Sequence, residues 1–132
     1  MNPIDFLKTI YLGDRAIKAI SVDSWARIVK IQVDTISRVR SLNGRWDFYS
    51  AEDIVDGALV FDGVRSFEIT PPGAIPDDHI SDVRITSQGD FFLFEISSSD
   101  SDQPNIGNVI VRMVAEGFSL EDPKRPDEKI SE

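Results

Sequence analysis

Residues 28–49 read IVKIQVDTISRVRSLNGRWDFY, and this stretch decides the fold class. Val29, Ile31, Val33 and Val39 take one parity; Lys30, Gln32, Asp34, Arg38 and Arg40 take the other. Side chains change face at every residue of a strand, so the pattern describes a strand with one buried and one wet face. Asn43-Gly44 then supplies the two residues that best tolerate positive φ, as a type I′ hairpin turn requires. Pairing Leu42 with Arg45 sets Val39 against Phe48 and Arg40 against Asp47 across the turn. Trp46 and Phe48 then share the face of the valines. A slip of one residue would undo both matches, so pattern and turn select one register.

Working outward, Arg15–Val22 reads as a first strand with Ile20 and Val22 inward. Asp23-Ser24 turns the chain into a long second strand, Trp25–Val39, and Arg45–Tyr49 is the third. At the N-terminus Asn2 can cap a short helix with Pro3 at its first position. Ile4, Leu7, Ile10 and Tyr11 fall near one face, and Gly13 can end it. Ser50-Ala51-Glu52-Asp53 has capping-box form, which predicts a helical turn over Ala51–Val55. Ala58–Thr70 is apolar at both ends and interrupted by Asp62-Gly63. Asp-Gly there is either a hairpin turn or a bulge in one long strand. The bulge is favoured, because an arm of so few residues pairs weakly alone.

Pro71-Pro72-Gly73 and Pro76 force an irregular connection. Ser81–Ser87 follows as a strand with Val83 and Ile85 inward, then a turn at Gln88-Gly89-Asp90. Phe91–Ser97 is apolar on both faces, which marks a central or covered strand. Ser97–Asn105 is a polar loop. Asn108–Ala115 is a strong strand that can run on past Gly117 to Leu120. The expected fold is α+β and mostly β: an N-terminal helix with about seven antiparallel strands in a meander sheet or sandwich. Residues 1–120 form a single globular domain in this view, and 121–132, EDPKRPDEKISE, a charged, disordered tail.

The chain has 132 residues, 41% of them hydrophobic, enough to bury the core of one domain. It has no cysteine, which excludes disulfides and thiol nucleophiles and fits a reducing compartment. No apolar run approaches the roughly 20 residues that span a bilayer. The N-terminal segment carries Asp5 and Lys8 within its apolar region and lacks the pattern of a signal peptide. A cytoplasmic protein with no membrane association is the expectation.

The net charge of −9 is unevenly spread. Residues 1–49 hold eight Lys/Arg and five Asp/Glu; residues 50–102 hold two and twelve; residues 103–132 hold four and six. The acidic middle repels nucleic acid and attracts a basic protein, with faster association at low salt.

The residue types that carry chemistry do not converge. His79 is the only histidine and stands in a Pro- and Asp-rich loop without an evident orienting partner. Asp77 and Asp78 are neighbours in an extended chain and diverge. Asp100–Asn105 shares the acidic spacing of a calcium loop, but Asn105 stands where glycine belongs and Val111 where glutamate belongs. The glycines are dispersed, so no phosphate cradle forms. Glu68 and Glu95 could make a carboxylate pair only if their strands bring them together. Arg38, Arg40 and Arg45 would form a basic patch on the wet face of the hairpin, diluted by Asp34 and Asp47.

The runs DGALVFDGVRSFEITPPGAIPDD and FFLFEISSSDSDQPNIGNVIVRMVAEGFSLEDP resemble small bacterial proteins of uncharacterised families. Several of these are similar to immunity proteins of polymorphic toxin systems. The shared feature is an apolar strand that ends Phe61-Asp62-Gly63-Val64 and continues as a second apolar stretch. The resemblance implies a cytoplasmic, non-enzymatic protein that binds and blocks a basic toxin domain. It carries over no catalytic residue.

The expectation from sequence is therefore protein binding without cofactor, metal or catalysis. Asp77, Asp78, Asp82, Asp100 and Asp102 are the candidate contacts to a basic partner. The alternative is a structural or housekeeping subunit, a homodimer formed through a sheet edge. A carboxylate enzyme built on Glu68 and Glu95 is the third possibility.

Overall fold

The computed structural model describes residues 1–39 and 52–132. The Asn43-Gly44 turn, the strand Arg45–Tyr49 and the facing pairs built on Arg40, Trp46, Asp47 and Phe48 lie outside the described residues, with Ser50 and Ala51. The strand before the turn keeps its pattern: Val29, Ile31, Val33 and Val39 are all buried.

In chain order the elements are α1 (Pro3–Leu7), β1 (Ile10–Tyr11), β2 (Ile17–Asp23), β3 (Ile28–Val33), β4 (Thr35–Arg38), β5 (Ile54–Val55), β6 (Ala58–Asp62), β7 (Ser66–Thr70), β8 (Asp82–Gln88), β9 (Phe91–Ser98), β10 (Val109–Ala115), β11 (Gly117–Asp122) and β12 (Arg125–Ile130). All the pairings are antiparallel. The strands form a five-stranded sheet ordered β12-β11-β6-β3-β2, a four-stranded sheet ordered β7-β10-β9-β8, and a small sheet ordered β1-β4-β5. Among the described residues the chain is thus mostly β with one short α-helix, as its alternation predicts.

One bent ribbon joins the two large sheets. β6 pairs with β11 and β7 pairs with β10, so residues 58–70 run antiparallel to 110–121 across both sheets. Asp62 faces Gly117, while Ser66 faces Val114. Three residues therefore oppose two at the crossing, which is the signature of a bulge. Gly63 takes φ +58 there, a left-handed value that costs other residues energy. Gly63 takes the unusual backbone angle expected of it and no hairpin forms, but the stretch is not one long strand: the extra residue bends the ribbon from β6 in one sheet into β7 in the other. Hydrogen bonds from Glu116 N to Asp62 O (3.0 Å) and from Arg65 N to Val114 O (2.8 Å) hold the bend.

Four phenylalanines fill the angle between the sheets. Phe61 of β6 meets Phe94 of β9 edge-on, with centroids 4.9 Å apart, and stacks on Phe118 of β11 at 5.3 Å. Phe6, the buried residue of α1, lies 5.5 Å from Phe118. Burying an aromatic of this size stabilises by about 1.5–3 kcal/mol, and the ring pairs add to it.

The structure departs from expectation where a side chain serves a second sheet. The long strand Trp25–Val39 divides at Asp34, whose Oδ1 accepts Thr35 N at 2.8 Å. Beyond it β4 belongs to the small sheet, and Arg38 is buried at 4% exposure instead of lying on a wet face. Its guanidinium sits over the Phe6 ring at 5.7 Å and donates to Glu132 O. Trp25 stands in the turn before β3 and Val22 is 51% exposed, because the β2–β3 hairpin reaches beyond the core. The helix ends at Leu7, and Ile10–Tyr11 form β1. Ile54–Val55 pair with β4 as a strand, so the predicted helical turn gives way at its C-terminal half.

The charged segment 121–132 carries β12, which pairs with β11 through Leu120–Ile130 and Asp122–Arg125. It has no apolar alternation because it is an edge strand with exposed side chains. Backbone pairing holds it, with an ion pair from Lys129 to Asp62 at 3.2 Å. Those contacts are invisible to composition, which is why the segment reads as a tail.

Candidate functional site

The five aspartates gather at one end of the four-stranded sheet. Residues 71–81 pass along the start of β2 and the end of β9. Ile17 N donates to Asp78 O (3.2 Å), Ile80 N donates to Arg15 O (2.8 Å), and Ser98 Oγ donates to Asp78 O (2.9 Å). The chain at Asp77–His79 is therefore held on both sides. The loop after β9 then folds onto it. Asp77 accepts from Ser101 N (2.8 Å) and Ser101 Oγ (2.7 Å), and Asp78 accepts from Ser99 Oγ (3.1 Å).

Asp100 has a different role from the rest. It is 3% exposed, so it cannot be a contact to a partner as the sequence suggested. Its carboxylate accepts from Ile75 N (2.9 Å), Asp102 N (3.0 Å) and Gln103 Nε2 (3.0 Å). It is the clasp between the two loops. The Ile75 amide, followed by the other donors, holds its carboxyl below the usual aspartate range despite the opposing effect of burial. Asp78 is also lowered, first by the His79 amide and then by the Ser99 hydroxyl. Asp77, Asp82 and Asp102 are exposed, and Asp78 is half-buried. Asp82 opens β8 and accepts from Arg84 Nε at 2.9 Å. Asp77, Asp82 and Asp102 are thus exposed and Asp78 half-buried, with Asp100 buried as the clasp between the two loops.

His79 is exposed and pairs only locally, its Nδ1 2.9 Å from Asp78 Oδ1. Among the described residues no group of three or more His, Cys, Asp or Glu could hold a metal ion. Glu68 and Glu95 stand on β7 and β9, one on either side of β10. Arg112 of β10 lies between them, 3.0 Å from Glu68 Oε1 and 2.7 Å from Glu95 Oε2. Hydrogen bonds to Glu95 and then to Glu68 raise the pKa of the Arg112 guanidinium. This is a cross-strand charge row rather than an acid–base pair.

Sequence reasoning passed over the opposite structural feature, a cleft between the β2–β3 turn and the start of β7. Arg27, Arg65 and Phe67 line it. Its signal in the sequence is the tryptophan at the turn Asp23-Ser24-Trp25, 98% exposed here.

A model described as a family of unknown function, DUF6258, matches residues 1–132. The chain belongs to that family. No match is found among curated proteins. Among solved structures, the DUF6258 chain is similar to one titled "Crystal structure of an uncharacterized protein from Neisseria gonorrhoeae". The two are 9% identical, with a TM-score of 0.48, over 85% of this chain and 94% of that one. Among the described residues of the DUF6258 chain, no helix is long and apolar enough to cross a membrane.

Proposed function

We propose that this DUF6258 chain is a non-enzymatic cytoplasmic protein-binding domain, immunity-like in that it binds and blocks a basic toxin domain. The observation that carries this reading is the acidic end itself. Asp77, Asp78 and Asp102 present carboxylates from two loops that Asp100 and Ser101 tie together, and Asp82 adds one from the start of β8. A surface pinned in this way loses little entropy when a partner docks, and its charge speeds encounter with a basic protein. The resemblance carried by Phe61-Asp62-Gly63-Val64 adds the toxin-blocking role.

Affinity capture from the source cell, with the tagged chain as bait, tests the proposal. One basic protein should be retained in about equal amount at low salt and weakened at moderate salt. Exposed Asp82→Asn and Asp102→Asn should weaken it further while leaving the fold intact. Recovery of the bait alone would sink the proposal.

A second reading rests on a separate observation. Among the described residues β2, β7, β8 and β12 are sheet edges, and Phe91, Leu93 and Val114 stand half-buried on the outer face of the four-stranded sheet. Such edges and faces favour self-association. A homodimer would show as a concentration-dependent mass in light scattering.

A further inference from the structure

We propose that the cleft between the β2–β3 turn and the start of β7 receives an extended, acidic and apolar peptide segment of a partner protein, which adds as a strand to the free edge of β7. The proposal stands independently of the acidic end, which lies on other loops and would attract the opposite charge.

The cleft encloses about 270 Å³. That is below the roughly 300–1,000 Å³ that envelops a small molecule, and is room for a side chain or two. Its walls are mixed: Val22, Val64 and Phe67 supply apolar surface, and Asp23, Arg27 and Arg65 charge. Val22, in the lining, is 51% exposed, and Trp25, in the turn next to the lining residue Ser24, is 98% exposed. A protein with a filled aromatic core gains nothing for folding by leaving them in water, whereas an exposed tryptophan beside a cleft is a common anchor of binding energy.

β7 gives the cleft a direction. It pairs with β10 on one side, and among the described residues its other edge joins no strand. Ser66 and Phe67, at the start of that edge, line the cleft. An extended segment lying along β7 would satisfy the unpaired N–H and C=O groups and place alternate side chains into the cleft.

Charge selects the occupant. Arg27 and Arg65 both line the cleft, and among the described residues neither guanidinium forms an ion pair or hydrogen bond. Arg65 is held over the Phe91 ring at 4.7 Å. Of the acidic neighbours, Asp23 also lines the cleft, exposed, with its Oδ1 accepting Ala26 N at 2.9 Å. Glu116 lies in the adjoining depression beside the same two arginines. Two unpaired cations at one cleft of a chain with net charge −9 complement an acidic side chain beside an apolar one.

The test uses the full chain and three dansyl-labelled heptapeptides: one alternating valine and glutamate, its valine–lysine counterpart, and the valine–glutamate peptide N-methylated at alternate amides. The valine–glutamate peptide should bind saturably by fluorescence anisotropy. Arg27→Gln combined with Arg65→Gln should weaken it at least about tenfold, and the N-methylated peptide should lose binding because it cannot complete the ladder. Trp25→Ala should weaken it too; like the arginines, Trp25 is exposed, so an unchanged urea midpoint verifies folding. Equal binding of the lysine peptide, no effect of the double variant, full binding of the N-methylated peptide, or no saturable binding at all would each overturn the proposal.

Discussion

Replacing Gly63 with alanine probes the bend that carries the ribbon from one sheet to the other. Gly63 has φ +58, and a residue with a Cβ pays about 1–2 kcal/mol to adopt that left-handed conformation. The added Cβ would also stand 2.6 Å from Glu116 Cδ. That carboxylate is the far end of an exposed, flexible side chain, so it can swing into water at little cost. Alanine stiffens the unfolded chain as well, which returns about 0.4–1 kcal/mol. The net loss is about 1 kcal/mol, a sizeable part of a domain stability of about 5–15 kcal/mol. With a urea slope of roughly 2 kcal/mol per molar, the midpoint falls by about 0.5 M at unchanged slope. Gly63→Asn should lose less, because asparagine tolerates the left-handed region better. Adding Glu116→Ala to Gly63→Ala should recover only a minor share, since the backbone carries most of the cost. A Gly63→Ala protein as stable as the parent would refute the bulged bend, and with it the continuity of 58–70 across both sheets.

Three further outcomes are expected. Phe61→Ala, which empties the contact among Phe94, Phe118 and β6, should cost about 3–5 kcal/mol in urea unfolding and weaken the near-ultraviolet dichroism; a loss under 1 kcal/mol would mean that the sheets do not meet there. Acid should destabilise the fold through Asp78 and Asp100: their folded pKa values lie below the ordinary one, so their contribution is complete above about pH 5 and is lost as pH falls through the ordinary and then the lowered values. The urea midpoint should drop between pH 5 and pH 2.5, and less so in Asp100→Asn; an identical drop in that variant would exclude Asp100 from the linkage. Asp100→Asn should also speed hydrogen exchange at the Ile75 amide, which loses a charged acceptor, while amides of β9 keep their protection.

The local patterns were legible wherever a strand has one buried face and one neighbour on each side. Val29, Ile31 and Val33 announce β3 by alternation alone, and Phe91–Leu93 announce β9 as central because both faces are apolar. Asp62-Gly63 announced a left-handed residue, since few others occupy that conformation cheaply. Arg38 was misplaced for a physical reason. Alternation assumes one continuous strand, but Asp34 ends it, and the next residues face a small sheet where a guanidinium over Phe6 is the interior. β12 was missed because an exposed edge strand is specified by its partner's backbone and not by its own side chains.

The aspartates divide in the same way. Composition placed negative charge in the middle of the chain, and adjacency in an extended loop kept Asp77 and Asp78 apart. Only the docking of the loop after β9 onto residues 71–81 made Asp100 a buried clasp and left Asp77, Asp78, Asp82 and Asp102 around it. The cleft between the β2–β3 turn and β7 likewise depends on two segments about forty residues apart, brought together where Val64 N donates to Arg27 O at 3.0 Å. By itself the sequence determined a mostly β, antiparallel fold, the left-handed glycine at position 63 and the charge, because those follow from side-chain period, permitted backbone angles and ionisation. Which carboxylates, arginines and strand edges face a partner was decided by the tertiary structure alone, because burial and juxtaposition depend on contacts between segments far apart in the chain.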